Sequence, residues 1–312
     1  MKKAISYIYI FLFTIIFSCT IVDSKENNNS NETEFEFLAE QFADLKLIRY
    51  QIPGFENLSL DQKKLVYYLT QAGLSGRDII WDQNYRHNLH IRKALDKIIV
   101  EYDGDTNAEE FKAFEEYTKR VWFSNGIHHH YSMSKFRPEF DQEYLSGLCE
   151  KVGAELNDEA LKAIFDPSFD NKKVNLNPEK GLVAGSAVNF YAPGITESEV
   201  DAYYASIKDK DDPRPISYGL NSKLIKNKNG ELEEKVYKLG GMYSEAIENI
   251  ITWLEKAVTV AENEAQKKAL ELLIEYYQTG DLRTWDAYNV AWVKAIDGDI
   301  DYINSFIEVY ND

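Results

Sequence analysis

Three of the chain's five histidines stand side by side, as His128, His129 and His130, in the stretch WFSNGIHHHYSMSKF at residues 122–136. Imidazole is a common zinc ligand, so metal chemistry is the first reading to weigh. A catalytic zinc usually takes three protein ligands, often a histidine pair at helical spacing with a carboxylate or another histidine. Three consecutive side chains cannot all point one way on a strand or a helix, so at most two of these share a metal. His87 and His90 have i, i+3 spacing. At roughly 100° per residue, however, they fall well off the face of Tyr85 and Leu89. No histidine is followed by glutamate, so the helical motif H-E-x-x-H is absent. The cluster reads as loop histidines, hydrogen-bonded and packed among Trp122, Phe123 and Tyr131, and no metal ligand is assigned. The G-x-S-x-G elbow, the G-x-x-x-x-G-K loop and the G-x-G-x-x-G fingerprint are also missing. Glu262 and Glu264 read as carboxylates of a surface helix. Residue types and spacing alone name no activity.

The 312 residues suffice for one large domain or two ordinary ones, and 44% hydrophobic content predicts a folded chain. Twenty-one tyrosines supply surfaces that are apolar in body and polar at the tip. A formal charge of -17 argues against a nucleic-acid partner, which needs a clustered positive surface. It fits a soluble extracytoplasmic protein and would favour cationic peptides, although a charge surplus is ordinarily solvated surface.

The chain opens on Lys2 and Lys3, followed by an apolar run from Ala4 to Phe17. That run is short for a membrane span and suits a secretory signal. Its end, Ile16-Phe17-Ser18-Cys19, resembles the bacterial lipobox. The resemblance implies cleavage before Cys19 and lipidation of its thiol, with residues 1–18 as signal peptide. Residues 19–33 are polar and asparagine-rich, as a flexible tether should be. With Cys19 lipidated, Cys149 has no partner for an intrachain disulfide. The expected location is the cell envelope, membrane-anchored and either periplasmic or surface-exposed.

Elements to position these residues begin near Glu34. Ser59 and Gln62 form an S-x-x-Q capping box ahead of the stripe Leu65, Tyr68, Leu69 and Ala72. One continuous helix is predicted from about Arg77 to Tyr102, and others over about 108–122, 141–152, 158–164 and 197–208. Residues 215–241 read as a hairpin turning at Asn229-Gly230. A helix N-capped by Ser244 follows, then one ending on Gly280, and a last one over 300–310. The predicted class is mostly α with a small β element (α+β).

Four blocks carry a family likeness: YYLTQAGLSGRDIIWDQNYRHNLHIRKAL, FKAFEEYTKRVWFSNGIHHHYSMSKFRPEF, SYGLNSKLIKNKNGELEEKVYKLGGMYSEAIENIITWLEKA and IEYYQTGDLRTWDAYNVAWVKAIDGDIDYINSFIEVYND. In order, from about Phe37 to Asp312, they resemble the N-terminal half of bacterial dipeptidyl peptidase III enzymes. The resemblance makes the histidine stretch a family-marking loop. It implies a two-lobed zinc metallopeptidase releasing dipeptides from the N-termini of oligopeptides. The family's zinc sits on an H-E-x-x-G-H helix with a downstream glutamate, and neither is in this sequence. The expectation is therefore that residues 34–312 lack the zinc-bearing half, bind no zinc and are inactive alone. The closing stretch DYINSFIEVYND is then expected to need cover from that half. The resemblance also implies that an acidic residue just before F-I-E-x-Y holds the substrate's free α-amino group, which counting back from Phe306 places at Asp301. The tyrosine expected two positions on is Ile303, with Tyr302 as its neighbour. Asp301 is equally readable as a helix-start residue favoured by the macrodipole. The alternative function is a non-catalytic surface lipoprotein that binds peptide or glycan with an aromatic-rich helical face.

Lipidation gives the first test. Multi-chain lipid anchoring is stable, so Cys19→Ala is expected to move the protein from the membrane to the soluble fraction. Unchanged membrane fractionation of that variant would contradict the lipobox reading.

Overall fold

Tyr85 interrupts what the apolar pattern predicts as a single helix. In the computed structural model, which describes residues 35–304, helix α1 (Leu60–Ser75) is followed by α2 (Arg77–Asn84) and, after a break, α3 (Asn88–Glu101). At the break Tyr85 is extended, with φ -170 and ψ 137. Its ring is fully buried and its hydroxyl donates to Asp170 Oδ2 at 2.8 Å. Asn88 pins the same corner. Its Nδ2 donates to the carbonyls of Trp81 (3.1 Å) and Asn125 (3.3 Å), while its Oδ1 accepts from the Ile127 amide (3.2 Å). Gly126, at φ 149, is required there, because a Cβ would lie 2.1 Å from Asn88 Nδ2. Tertiary hydrogen bonds thus override the helical periodicity.

The chain forms two units, Met1–Tyr50 and Gln51–Asp312. The described part of the first is an antiparallel hairpin of β1 (Leu38–Phe42) and β2 (Leu45–Ile48), which the sequence reading did not predict. Four of the five β1 residues are exposed, so no alternation of buried and polar positions marked it.

The second unit carries the other elements. After α3 come α4 (Glu109–Phe123), α5 (Gln142–Val152), α6 (Asp158–Phe165), the single turn α7 (Leu182–Gly185) and α8 (Glu197–Ile207). Strands β3 (Ser222–Lys226) and β4 (Leu232–Val236) then pair, followed by α9 (Ser244–Val258), α10 (Glu264–Thr279) and α11 (Leu282–Lys294). The mostly α, small-β class expected from sequence is therefore observed. One core is built by α2 to α6 around Trp81, Leu95, Phe114, Tyr117 and Leu145. A second joins α1, α9, α10 and α11 around Leu65, Ile247, Leu254, Leu270 and Tyr276. A small third core holds Ile195, Val200 and Leu224.

Local chemistry sets the element ends. The Ser59–Gln62 capping box of α1 forms with both reciprocal bonds, and Gly280 ends α10 in the left-handed region at φ 69. Two details differ from expectation. Ser244 is the first residue of α9 and not its cap; Tyr243 takes that place at φ 54, and Ser244 Oγ accepts from the Gly240 amide. The return of the chain after β4, fixed by Met242 N donating to Val236 O, forces this entry. The β3–β4 connection is a five-residue loop, 227–231, in which Asn227 Oδ1 accepts from the amides of Asn229 and Glu231. The hairpin is tied to α2 through polar groups. Lys223 Nζ donates to Asn189 Oδ1 (2.6 Å), and Asn189 Nδ2 to Asp82 Oδ1 (3.2 Å). Burial raises the Asp82 carboxyl above its ordinary range despite the nearby Lys223 ammonium.

Leu95 and Val100 lie on the same helix with opposite exposure, 0% and 80%. Leu95→Ala is expected to destabilise the fold by about 2–5 kcal/mol. Val100→Ala should stay within about 0.5 kcal/mol of the parent. Denaturant unfolding of the two variants checks the contrast, and equal losses would contradict this packing.

Candidate functional site

The histidines are spent on structure. His128 is buried, and its Nε2 lies 2.7 Å from the Asp170 carbonyl; a carbonyl only accepts, so Nε2 carries the proton. Burial pushes its imidazole down to about 4, outweighing the stabilising effect of that carbonyl, so it is neutral at pH 7. His129 Nδ1 accepts from the amides of Tyr131 and Ser132, and its ring stacks on His130 at 4.7 Å. His130 Nδ1 lies 3.3 Å from Ser124 Oγ. His87, which precedes α3, is buried beside Tyr85, and His90 Nε2 accepts from the Asn157 amide. The imidazoles therefore act as hydrogen-bonding and stacking groups. Among the described residues no three His, Cys, Asp or Glu side chains form a group that would hold a metal ion. Cys149 is a buried free thiol raised by burial. Cys19 lies outside the described residues.

Asp301 stands in the irregular segment that follows α11. Its Oδ1 accepts from the Trp292 indole (3.0 Å) and the Tyr302 amide (2.8 Å). Its Oδ2 accepts from no group among the described residues, and the side chain is exposed. Residues 301–304 are not helical, and the rest of the expected 300–310 helix lies outside the described residues. Ile303 is 79% exposed, whereas Tyr302 packs against the second core. Asn304 Oδ1 accepts from the Tyr277 hydroxyl at 3.0 Å. Tyr302, Ile303 and Asn304 also border an apolar pocket of about 140 Å³ whose far wall is Leu69, Ile250 and Leu273.

What holds this segment is Glu262, which sits between α9 and α10 and is not the surface-helix carboxylate expected of it. Its Oε1 accepts from the Asp299 amide (3.1 Å) and Gln62 Nε2 (2.8 Å), and its Oε2 from the Ile300 amide (2.8 Å). Gln62 Nε2 also reaches Asp299 Oδ2, Gln266 Nε2 donates to the Ile300 carbonyl, and Asn263 Nδ2 donates to the Asp297 carbonyl. Gly298, at φ 144, lets the backbone pass Glu262, since a Cβ there would meet Oε2 at 2.6 Å. Burial alone would raise the Glu262 carboxyl, but the bonds from Gln62 and the Ile300 and Asp299 amides outweigh it and hold it below 4.5. Glu264 is simply the exposed first residue of α10. No local pattern could have found Glu262, because Gln62 lies 200 positions away in sequence.

Comparison with known proteins bears on this segment directly. Residues 195–312, which include α8 to α11 and Asp301, match the family described as peptidase family M49. The resemblance to dipeptidyl peptidase III read from the sequence is thereby borne out. Two solved structures are similar. One is dipeptidyl-peptidase III from Corallococcus sp. strain EGB, 16% identical at TM-score 0.51, covering 80% of this chain and 35% of that one. The other is DPP III from Caldithrix abyssi, 19% identical at TM-score 0.47, covering 78% and 35%. At 16% identity the likeness to the Corallococcus structure speaks to the fold alone. The chain spans about a third of the length of these structures. No match is found among curated proteins.

The Glu262 clamp titrates. A carboxyl held below its unfolded value contributes stability that is present above about 4.5 and is lost as pH falls through the folded value. Hydrogen exchange at the Ile300 amide is therefore expected to accelerate below about pH 4.5 relative to a buried α9 amide. In Glu262→Gln exchange should be fast throughout and that pH step absent. An unchanged step in the variant would assign it to another group.

Proposed function

We propose that this chain is part of a dipeptidyl peptidase III-like peptidase, and that it holds the free α-amino group of an oligopeptide at Asp301. The observation that carries the reading is the Asp301 carboxylate. One oxygen is fixed by Trp292 and Tyr302 and the other is open, on a backbone clamped by Glu262, inside the segment that matches the peptidase family. A carboxylate so held accepts a charge-assisted hydrogen bond from an ammonium group and selects peptides with a free N-terminus. Fixing the acceptor in advance reduces the ordering cost of binding.

In this reading zinc supplies the activated water of the full enzyme, and the described residues do not fit it. His128 is buried against Asp170, and the His129 Nδ1 lone pair is taken by backbone amides. No step on this chain therefore runs through the metal. Its own residues bind and orient: Asp301 receives the ammonium, the Trp292 indole keeps the carboxylate facing outward, and the pocket beside Tyr302 presents an apolar wall. We further propose residues 1–18 as signal peptide, Cys19 as the lipid anchor, 19–33 as the tether, 34–312 as the peptidase-like region, and the cell envelope as the location.

The test pairs this chain with the zinc-bearing half of a close relative and follows dipeptide release. Asp301→Asn is expected to lower kcat/KM about tenfold or more, the size of a lost charged hydrogen bond, mainly through KM. N-acetylated peptides should resist cleavage with either form. Unchanged kcat/KM in the variant would remove Asp301 from the site. Peptide binding without release under any pairing would favour the non-catalytic lipoprotein.

A further inference from the structure

The histidine loop lines a second pocket, and its charge is opposite to that of the molecule. His129 N donates to Ser134 O, Phe136 N to Ile127 O, Lys135 N to Asn171 O and Lys173 N to Met133 O. These bonds lace residues 127–136 to 171–173 as a small irregular ladder. Beside it lies a pocket of about 350 Å³, within the size range of small-ligand sites. Three cations line it, Lys135, Arg137 and Lys172, and no carboxylate does. Ile164, Phe165, Pro138 and Pro167 form the apolar part of the wall. In a chain of net charge -17, three cations around one pocket mark a place where negative charge is welcome.

Two of the cations are held in place by neutral partners. Lys135 Nζ donates to the carbonyls of Asp166 (2.5 Å) and Phe169 (2.7 Å). Lys172 Nζ donates to Ser134 Oγ (2.6 Å) and Ser132 O (3.1 Å). Those contacts orient the ammonium groups but neutralise neither, and each retains a third donor. Of the two carboxylates that act on Lys135, Asp166 accepts from Ser168 N and Oγ at Oδ1, and Asp170 pairs with Arg86 at 2.8 Å. Burial lowers Lys135, opposed by Asp166 and Asp170, and Arg137 lowers it further, so the guanidinium is close enough to be felt. Arg137 itself makes no hydrogen bond or ion pair among the described residues, and the Asn171 amide group donates to none. The guanidinium fork is shaped for two oxygens of one carboxylate or phosphate.

We propose that this pocket binds an oxyanion, carboxylate or phosphate, carried on an apolar group. Arg137 and Lys172 take the charge, and Phe165 and the two prolines cover the apolar part. The site is separate from Asp301 and does not rest on the peptidase reading.

The test titrates the full chain with phenyl phosphate, 3-phenylpropionate and the neutral 3-phenylpropanamide, following calorimetry and amide shifts in 127–137 and 164–173. Saturable binding of either anion is expected, at least tenfold tighter than the amide and weakening as salt rises. The stronger of the two anions identifies phosphate or carboxylate as the natural group. Arg137→Gln removes no hydrogen bond or ion pair among the described residues, so it should fold normally and weaken the anion about tenfold while leaving amide binding unchanged. Lys172→Met should act in the same direction, with its melting temperature recorded to separate binding from folding. Absence of saturable anion binding, equal affinity for the amide, or full affinity in Arg137→Gln would overturn the proposal.

Discussion

A carboxylate can select an ammonium group only if its backbone is held, and here one half-buried carboxylate does the holding. Glu262 accepts from the amides of Asp299 and Ile300 and from Gln62, and so joins the start of α1 to the chain between α9 and α10 and to the segment carrying Asp301. Backbone amides donating to an ionised oxygen are among the stronger hydrogen bonds in proteins, and solvent at the half-buried Glu262 weakens them here. Without them residues 297–302 would be an irregular stretch with few apolar anchors beyond Ile300 and Tyr302. Gly298 completes the arrangement by letting the chain run close to the carboxylate.

Charge is distributed to match. Asp301 keeps one oxygen exposed on an acidic molecule, which suits a cationic N-terminus, while the three cations beside the histidine loop are gathered around one pocket. Burial subdues other titratable groups: His128 is neutral, and Asp82 is raised inside its polar network. The histidines that first suggest metal chemistry instead bond and stack within the loop that leads into Lys135 and Arg137.

Much of this was legible in the sequence where structure is local. The Ser59–Gln62 capping box and the Gly280 stop follow from short-range rules, and both are present. The misses share a different cause. Tyr85 breaks a helix because its hydroxyl finds Asp170 and its neighbour Asn88 finds Asn125. Helix α11 buries only Tyr288 fully and leaves Val290 and Val293 exposed, so it carries little periodic signal. Glu262 could not be told from a solvated glutamate, because its partners come from distant positions. Asp301 was reachable only through family resemblance, since its spacing alone fits a helix start equally well.

The central claim is that Glu262 positions the segment from which Asp301 recognises a peptide's amino group. A double-mutant cycle of Glu262→Gln and Asp301→Asn, read on kcat/KM for a free-amine peptide in the reconstituted enzyme, tests it most directly. The account predicts coupling of about 0.5–3 kcal/mol, with the second substitution doing little once the first has loosened the segment. Effects that add to within about 0.3–0.5 kcal/mol would show the two carboxylates to be independent and would contradict it.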